Sequence, residues 1–209
     1  MREPKQKLGQ PGRPREFDEV EALSKIMQLF WENGYEATGL ADILKATGLG
    51  KASLYAAYGN KHTMYLKALT QYDSLMVESA VQALCDSGRP ASDRLKAFLS
   101  APLEAVRQNN DRRGCFLCNA AADRSALDTD TAALVRSGYA KMQAGLETVI
   151  AELDTSLTND QVANNAALAL TVYSGLRVMA RSSVPDIHLL AGRDACLNAV
   201  LTCAPSRPI

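Results

Sequence analysis

The chain has 209 residues, 47% of them hydrophobic and 22% charged, with 23 basic residues balancing 23 acidic ones; this is a globular composition, and its zero net charge gives no whole-molecule argument for nucleic acid. No apolar run reaches the length of a membrane span and the N-terminus lacks a hydrophobic signal core, so a cytoplasmic protein without membrane contact is expected. Cys85, Cys115, Cys118, Cys196 and Cys203 are odd in number in a chain too large to need staples, which favours reduced thiols over a disulfide framework.

Residues 1–15 carry Arg2, Lys5, Lys7, Arg13 and Arg15 against Glu3 alone, and with Gly9, Pro11, Gly12 and Pro14 they read as a flexible basic arm. Asp18 then caps a first helix in which Val20, Leu23, Met27 and Phe30 repeat at helical spacing, with Gly34 where a C-cap belongs. Thr38 is placed to cap a short second helix bearing Leu40, Ile43 and Leu44, which Gly48 stops. A third helix begins near Lys51 and ends by Gly59-Asn60. A fourth starts near Lys61 and runs long, with Leu66, Leu69, Leu75, Met76 and Leu84 among its apolar positions. Between Asp42 and Asp73 the only charges are Lys45, Lys51, Lys61 and Lys67. Next to a basic arm, such a segment suggests a local polyanion-binding face; by charge alone, solvated surface lysines read the same way.

Gly88-Arg89-Pro90 marks a break. Helical periodicity then covers 91–109, 115–126, 129–153, 159–181 and 186–202, and Pro102 is expected to kink the first of these. No segment alternates convincingly as a strand. The expected class is all-α.

The informative stretch is Thr38 to Lys61. Two short helices meet at Gly48, which permits the positive φ of a sharp turn; Leu49 fills the corner, and Ile43, Leu44 and Leu54 pack the pair together. This is a helix-turn-helix pattern, whose second helix enters the major groove by its N-terminal end, although helical hairpins with a glycine turn also occur as plain core. Lys51 suits a base edge or phosphate, Ser53 donates or accepts, Ala52 allows close approach, and Tyr55 offers its hydroxyl to a phosphate.

Gly48-Leu49-Gly50-Lys51-Ala52-Ser53-Leu54-Tyr55, followed by Tyr58, Gly59, Asn60 and Lys61, closely resembles the signature of the TetR/AcrR family of transcriptional regulators. Phe30, Gly34, Tyr35 and Thr38 also stand where that family places an aromatic, a Gly-aromatic pair and a threonine. The resemblance covers roughly residues 17–65. It implies an N-terminal three-helix helix-turn-helix DNA-binding domain at 16–65, with the motif at about 39–58, and a C-terminal helical effector-binding and dimerisation domain at 66–209. It further implies a homodimer on double-stranded DNA with a palindromic operator, acting as a repressor that a small effector releases, and no enzyme. Carried over by residue, Lys51, Ala52 and Ser53 take base-reading or groove-entering positions, Tyr55 and Lys61 phosphate-clamping ones, and Thr38 and Gly39 the start of the supporting helix. Ala56 and Ala57 stand where larger residues are frequent, leaving only methyl contact with thymine. Arg13 and Arg15 in the arm either reach the minor groove or belong to a solubilising tail.

In the C-terminal part, the family's dimers join the last two long helices. In 159–181 the face of Val162, Ala166, Ala169, Leu170, Tyr173, Leu176 and Arg177 is broad, small and apolar, fit for a partner or for the subunit's own core. For an effector pocket the apolar candidates are Leu103, Val106, Phe116, Tyr139, Met142 and Tyr173, and core packing explains most residues of that kind. No cofactor is expected, and no His and acid cluster has metal spacing. Cys115 and Cys118 add a chemical possibility. Arg112 and Arg113 precede Cys115 at a helix start, and both features lower a thiol pKa, so the effector is expected to be small and either apolar or electrophilic. Two small buried residues packing a helix would show the same spacing. The alternative from another class is a helical ligand-binding or thiol-redox sensing protein without DNA function.

Overall fold

Asp18 opens the first helix: its Oδ1 accepts from the backbone N–H of Val20 at 2.9 Å and of Glu21 at 3.1 Å, satisfying two of the amides that a helix start leaves without partners. A computed structural model describes residues 18–202, and every regular element among them is helical. α1 covers Glu19–Ala37, interrupted at Gly34, whose φ of 79° suits glycine. α2 is Leu40–Thr47 and α3 is Lys51–Tyr58, with Gly48 turning between them at φ 70°. α4, Lys61–Tyr72, runs through a π turn, Asp73–Val77, into α5, Glu78–Cys85. One long helical path thus leaves the N-terminal head and enters the body.

The body continues with α6, Ala91–Asn109; α7, Phe116–Asp123; α8, Thr129–Leu153; α9, Asn159–Arg181; and α10, Asp186–Thr202. Pro102 is buried inside α6, and the helix continues through it without a break. α7 is shorter than its periodicity suggests, because residues 124–127 close as a turn. No helix of the described residues is long and apolar enough to cross a membrane.

The head closes when Ile43 and Leu54, both fully buried, seal α2 and α3 against α1 and α4. Aromatic rings then carry that core into the body. Phe30 meets Tyr65 edge-on at 5.2 Å, Tyr65 and Tyr72 each meet Phe116 at 5.7 Å, and Trp31 meets Tyr72 at 4.9 Å. Edge-to-face pairs of this kind each add about 0.5–1.5 kcal/mol beyond the area they bury.

Three apolar positions read from periodicity lie outside this core. Val20 is 70% exposed, because the buried stripe of α1 runs through Ala22, Ile26, Met27, Phe30 and Trp31. Leu75 and Met76 are exposed because the π turn shifts the helix phase, leaving Val77 as its buried residue. On α9 the small apolar face left open between partner and core is the inner one. Ala166, Ala169, Tyr173 and Leu176 are buried within the subunit, while Leu168, Thr171, Gly175, Val178 and Met179 look outward.

Candidate nucleic-acid interface and effector cavity

Burial of Leu54 and Tyr58 fixes the rotation of α3, which turns Lys51, Ala52, Ser53, Tyr55 and Ala56 to solvent and leaves Ala57 half-buried. The Tyr58 hydroxyl donates to the Glu19 carbonyl at 2.8 Å and ties the end of α3 to the start of α1. Gly50 caps α3 without a side-chain hydrogen bond, and the first turn holds no acid. The positive end of the helix dipole and its free amides therefore face outward beside Lys51, an arrangement that favours an anion.

Thr38 has a different job from the expected cap. It is fully buried, and its hydroxyl donates to the Gly34 carbonyl at 2.7 Å. The left-handed turn at Gly34 frees that carbonyl, so Thr38 locks the end of α1 and its side chain does not reach the surface. The cap of α2 is Gly39, whose N–H donates to Asp42 Oδ2 at 3.0 Å. Lys61 lies 4.5 Å above the Tyr35 ring and donates to the Glu36 carbonyl at 3.4 Å. Lys67, one of the four lysines of the basic segment, donates to the Ala57 carbonyl at 2.9 Å at the end of α3. Arg13, Arg15 and the rest of the arm, like Cys203, lie outside the described residues.

A cavity of about 370 Å³ opens between the end of α1, the α4–α5 path, α6 and α9. Of the eight sequence candidates for an effector site, Cys115 and Tyr173 line it. The other six do not. Leu103 and Val106 pack in an apolar cluster with Leu176, Ala180 and Leu189. Phe116 and Met142 belong to the central core. Tyr139 donates its O–H to Cys118 Sγ at 3.3 Å, and neither residue is on the cavity wall. Large apolar residues filled the interior instead of bounding a space. The wall is built from small residues of α5 and α6, among them Ala80, Ala97 and Ala101, and from Trp31, Tyr72, Phe98 and Arg177.

Cys115 stands at the N-cap of α7, just before the helix. The arginines beside it in sequence are occupied elsewhere. Arg112 donates to the Ala180 carbonyl at 3.3 Å, and Arg113 binds Asp111 at 2.7 Å while stacking 3.9 Å from Trp31. A hydrogen bond from Cys118 lowers the Cys115 pKa most; burial opposes it, and Tyr72 and the Arg177 charge help bring it to about 6. The same bond, with burial, pushes the Cys118 thiol up. Among the described residues, Cys85, Cys115, Cys118 and Cys196 are all free thiols.

Folding also assembles a polar contact that sequence spacing did not suggest. His62 Nε2 lies 2.7 Å from Asp128 Oδ2, with Asp130 within ligand distance and the Arg124 guanidinium 3.6 Å from Asp128. Burial disfavours ionisation of Asp128, but hydrogen bonds from Thr131, His62 and nearby amides hold its carboxyl well below the usual range. This contact bridges the head and the body.

Residues 22–68 match the family model for bacterial regulatory proteins of the tetR family, across the helix-turn-helix just described. The HTH-type transcriptional repressor ComR of Escherichia coli (strain K12) is 33% identical over 137 residues, 65% of each chain. The sequence of this head is that of the tetR family. A second relative, the HTH-type transcriptional repressor BdcR of the same organism, is 32% identical over 52% of this chain and 53% of its own. The match spans less than two thirds of the length of these curated relatives. Among solved structures, a cysteine mutant of the TetR family transcriptional regulator CifR, complexed with 26-base-pair double-strand operator DNA, is 27% identical. It superposes with a TM-score of 0.77 over 90% of this chain and 99% of that one.

Proposed function

We propose that the protein is a DNA-binding transcriptional regulator, a cytoplasmic repressor that holds a palindromic operator as a homodimer and leaves it when a small effector enters the body. The observation that carries this reading is the outward end of α3, where Lys51, Ala52, Ser53 and Tyr55 surround uncapped helix amides with no acid in the first turn. In this reading residues 16–65 form the DNA-binding head, with its motif at about 39–58, and 66–209 the effector and dimerisation body. Lys51, Ala52 and Ser53 enter the groove, with Ala57 close behind. Tyr55, Lys61 and the Gly39 backbone meet phosphates, and Arg13 and Arg15 reach the adjacent backbone or minor groove. Thr38 acts from inside by fixing the end of α1. The operator complex of CifR, similar over nearly its whole length, supports the placement.

Gel shift against the region upstream of the protein's own gene provides the test. Lys51→Ala is expected to weaken binding and to lower the salt slope by about one unit, as for one lost phosphate contact. Tyr55→Phe should lose about 1.5–3 kcal/mol if its hydroxyl meets a charged phosphate. Lys61→Ala also removes the contact with Tyr35, so its melting temperature is read alongside. Unchanged binding in all three would refute the assignment. A folded protein with no shift at all would favour a ligand-binding or thiol-redox role without DNA.

The outward stripe of Leu168, Thr171, Gly175 and Val178 on α9, with exposed Leu201 on α10, supports a two-fold helical interface. A Cβ at Gly175 would meet nothing within 4 Å, so a partner helix has room to approach there. Light scattering should give twice the chain mass. Val178→Asp should give a folded monomer, whereas charges at Leu176 or Leu197, both buried in the subunit, should unfold it. A dimeric Val178→Asp protein would exclude this stripe.

The apolar walls and the Cys115 thiol support a small effector, apolar or electrophilic. Trp31 of α1 and the α4–α5 path both line the cavity, so a ligand that prefers one spacing of these walls would tilt the heads.

A further inference from the structure

The charges around the cavity do not balance. Arg94 is paired with Glu152, and Arg113 with Asp111, whose carboxylate takes the Arg113 side chain through both oxygens. Arg89 is exposed to solvent. Arg177 differs from all three. Its Nε donates to the Tyr173 hydroxyl at 3.0 Å and its guanidinium lies 5.1 Å from that ring, but no carboxylate among the described residues forms an ion pair with it. It is a largely buried cation with a neutral partner, on a wall that it shares with Tyr72 and Cys115. Such a charge is costly to leave without a counterion.

A second unpartnered donor belongs to another residue of the lining. Trp31 is 6% exposed, and its Nε1–H is buried without a hydrogen-bond acceptor. Buried indole N–H groups ordinarily find one. The same lining includes Ala80, Ala97, Phe98 and Ala101, which offer nothing but apolar surface.

We infer that the cavity is a site for a small organic monoanion, a carboxylate whose head is held by Arg177 and the Trp31 indole and whose hydrocarbon body lies along the alanines and Phe98. The assignment deepens the effector reading and, for its regulatory meaning, rests on it. Arg177 supplies one charge that no carboxylate among the described residues pairs with, which suits a monoanion better than a dianion. Its planar guanidinium matches the two oxygens of a carboxylate. A neutral apolar ligand would only bury that charge more deeply. Cys115 shares this wall and Arg177 favours its thiolate, so a bound carboxylate should also disfavour that thiolate and slow its alkylation.

Trp31 is the only tryptophan in the chain, so its emission reports on this wall. The full-length protein, without DNA, is titrated with hexanoate and phenylacetate, each beside its amide. Each acid is expected to shift Trp31 emission saturably and to bind at least about tenfold more tightly than its amide, the margin of one charge-assisted contact. Arg177→Met should erase that ratio, Arg177→Lys should keep part of it, and thermal melts of both verify the fold. Saturating acid should slow iodoacetamide labelling of Cys115, and the amide should not. The site is overturned if neither acid moves Trp31 emission, if wild type binds amide as well as acid, or if folded Arg177→Met keeps the preference. Operator binding is measured separately by anisotropy. An acid that binds the free protein but leaves the operator complex intact supports the anion site and counts against the effector role.

Discussion

Phe116→Ala is expected to lower the folding free energy by about 3–5 kcal/mol, the cost of removing a fully buried aromatic side chain. Phe116 is 1% exposed, and its ring stands edge-on to Tyr65 and Tyr72, both on α4. Tyr65 in turn meets Phe30 and Tyr35 of α1 at 5.2 Å and 5.1 Å. One side chain from α7 therefore joins the head to the body. Rings of this size collapse poorly into a gap, which places the loss towards the upper end of the range. Urea unfolding of the full chain should show a lower midpoint with an unchanged slope, followed by both Trp31 emission and circular dichroism. Phe116→Leu should lose less, because it keeps most of the apolar volume. A loss below about 1 kcal/mol for the alanine variant would mean that the ring is not part of a close-packed core.

The helical body was legible because its ends are written in local chemistry. Asp128 caps α8 and Thr158 caps α9 through side-chain oxygens, and Pro90 and Pro185 fall in the connections. The outward end of α3 was legible for a related reason: Gly48, Leu54 and Tyr58 set its rotation within a short stretch of chain. The cavity was not. Its lining gathers Trp31, Tyr72, Cys115 and Arg177 from four separate parts of the chain, together with several alanines that carry no signal on a helix. The face of α9 stayed open between partner and core because both sides of that helix carry apolar residues, and periodicity cannot tell an inner stripe from an outer one. The same limit applies to charge. Arg112 and Arg113 are close to Cys115 in sequence, yet the guanidinium that acts on the thiol comes from α9.

The last expectation concerns that thiol. Labelling of Cys115 by iodoacetamide should rise with pH to half its maximum near 6 and stay flat through neutrality, because only the thiolate displaces iodide and its pKa is depressed to about 6. The sign follows from the bonds. Cys118 and Tyr72 donate to the sulfur and Arg177 adds positive charge, so each favours the deprotonated form against the cost of burial. Cys118→Ala removes the largest of these contributions and should move the profile to higher pH. Peptide mass spectrometry separates Cys115 from the exposed Cys85. Since Cys115 lines the cavity, its adduct occupies space beside Trp31 and Tyr72, and operator binding should fall as labelling proceeds. Cys115→Ser should keep its operator under the same treatment. A wild-type profile that climbs through the ordinary thiol range, or equal loss of operator in Cys115→Ser, would make Cys115 a packing residue, and entry of a non-covalent ligand would then be the only route to release through this cavity.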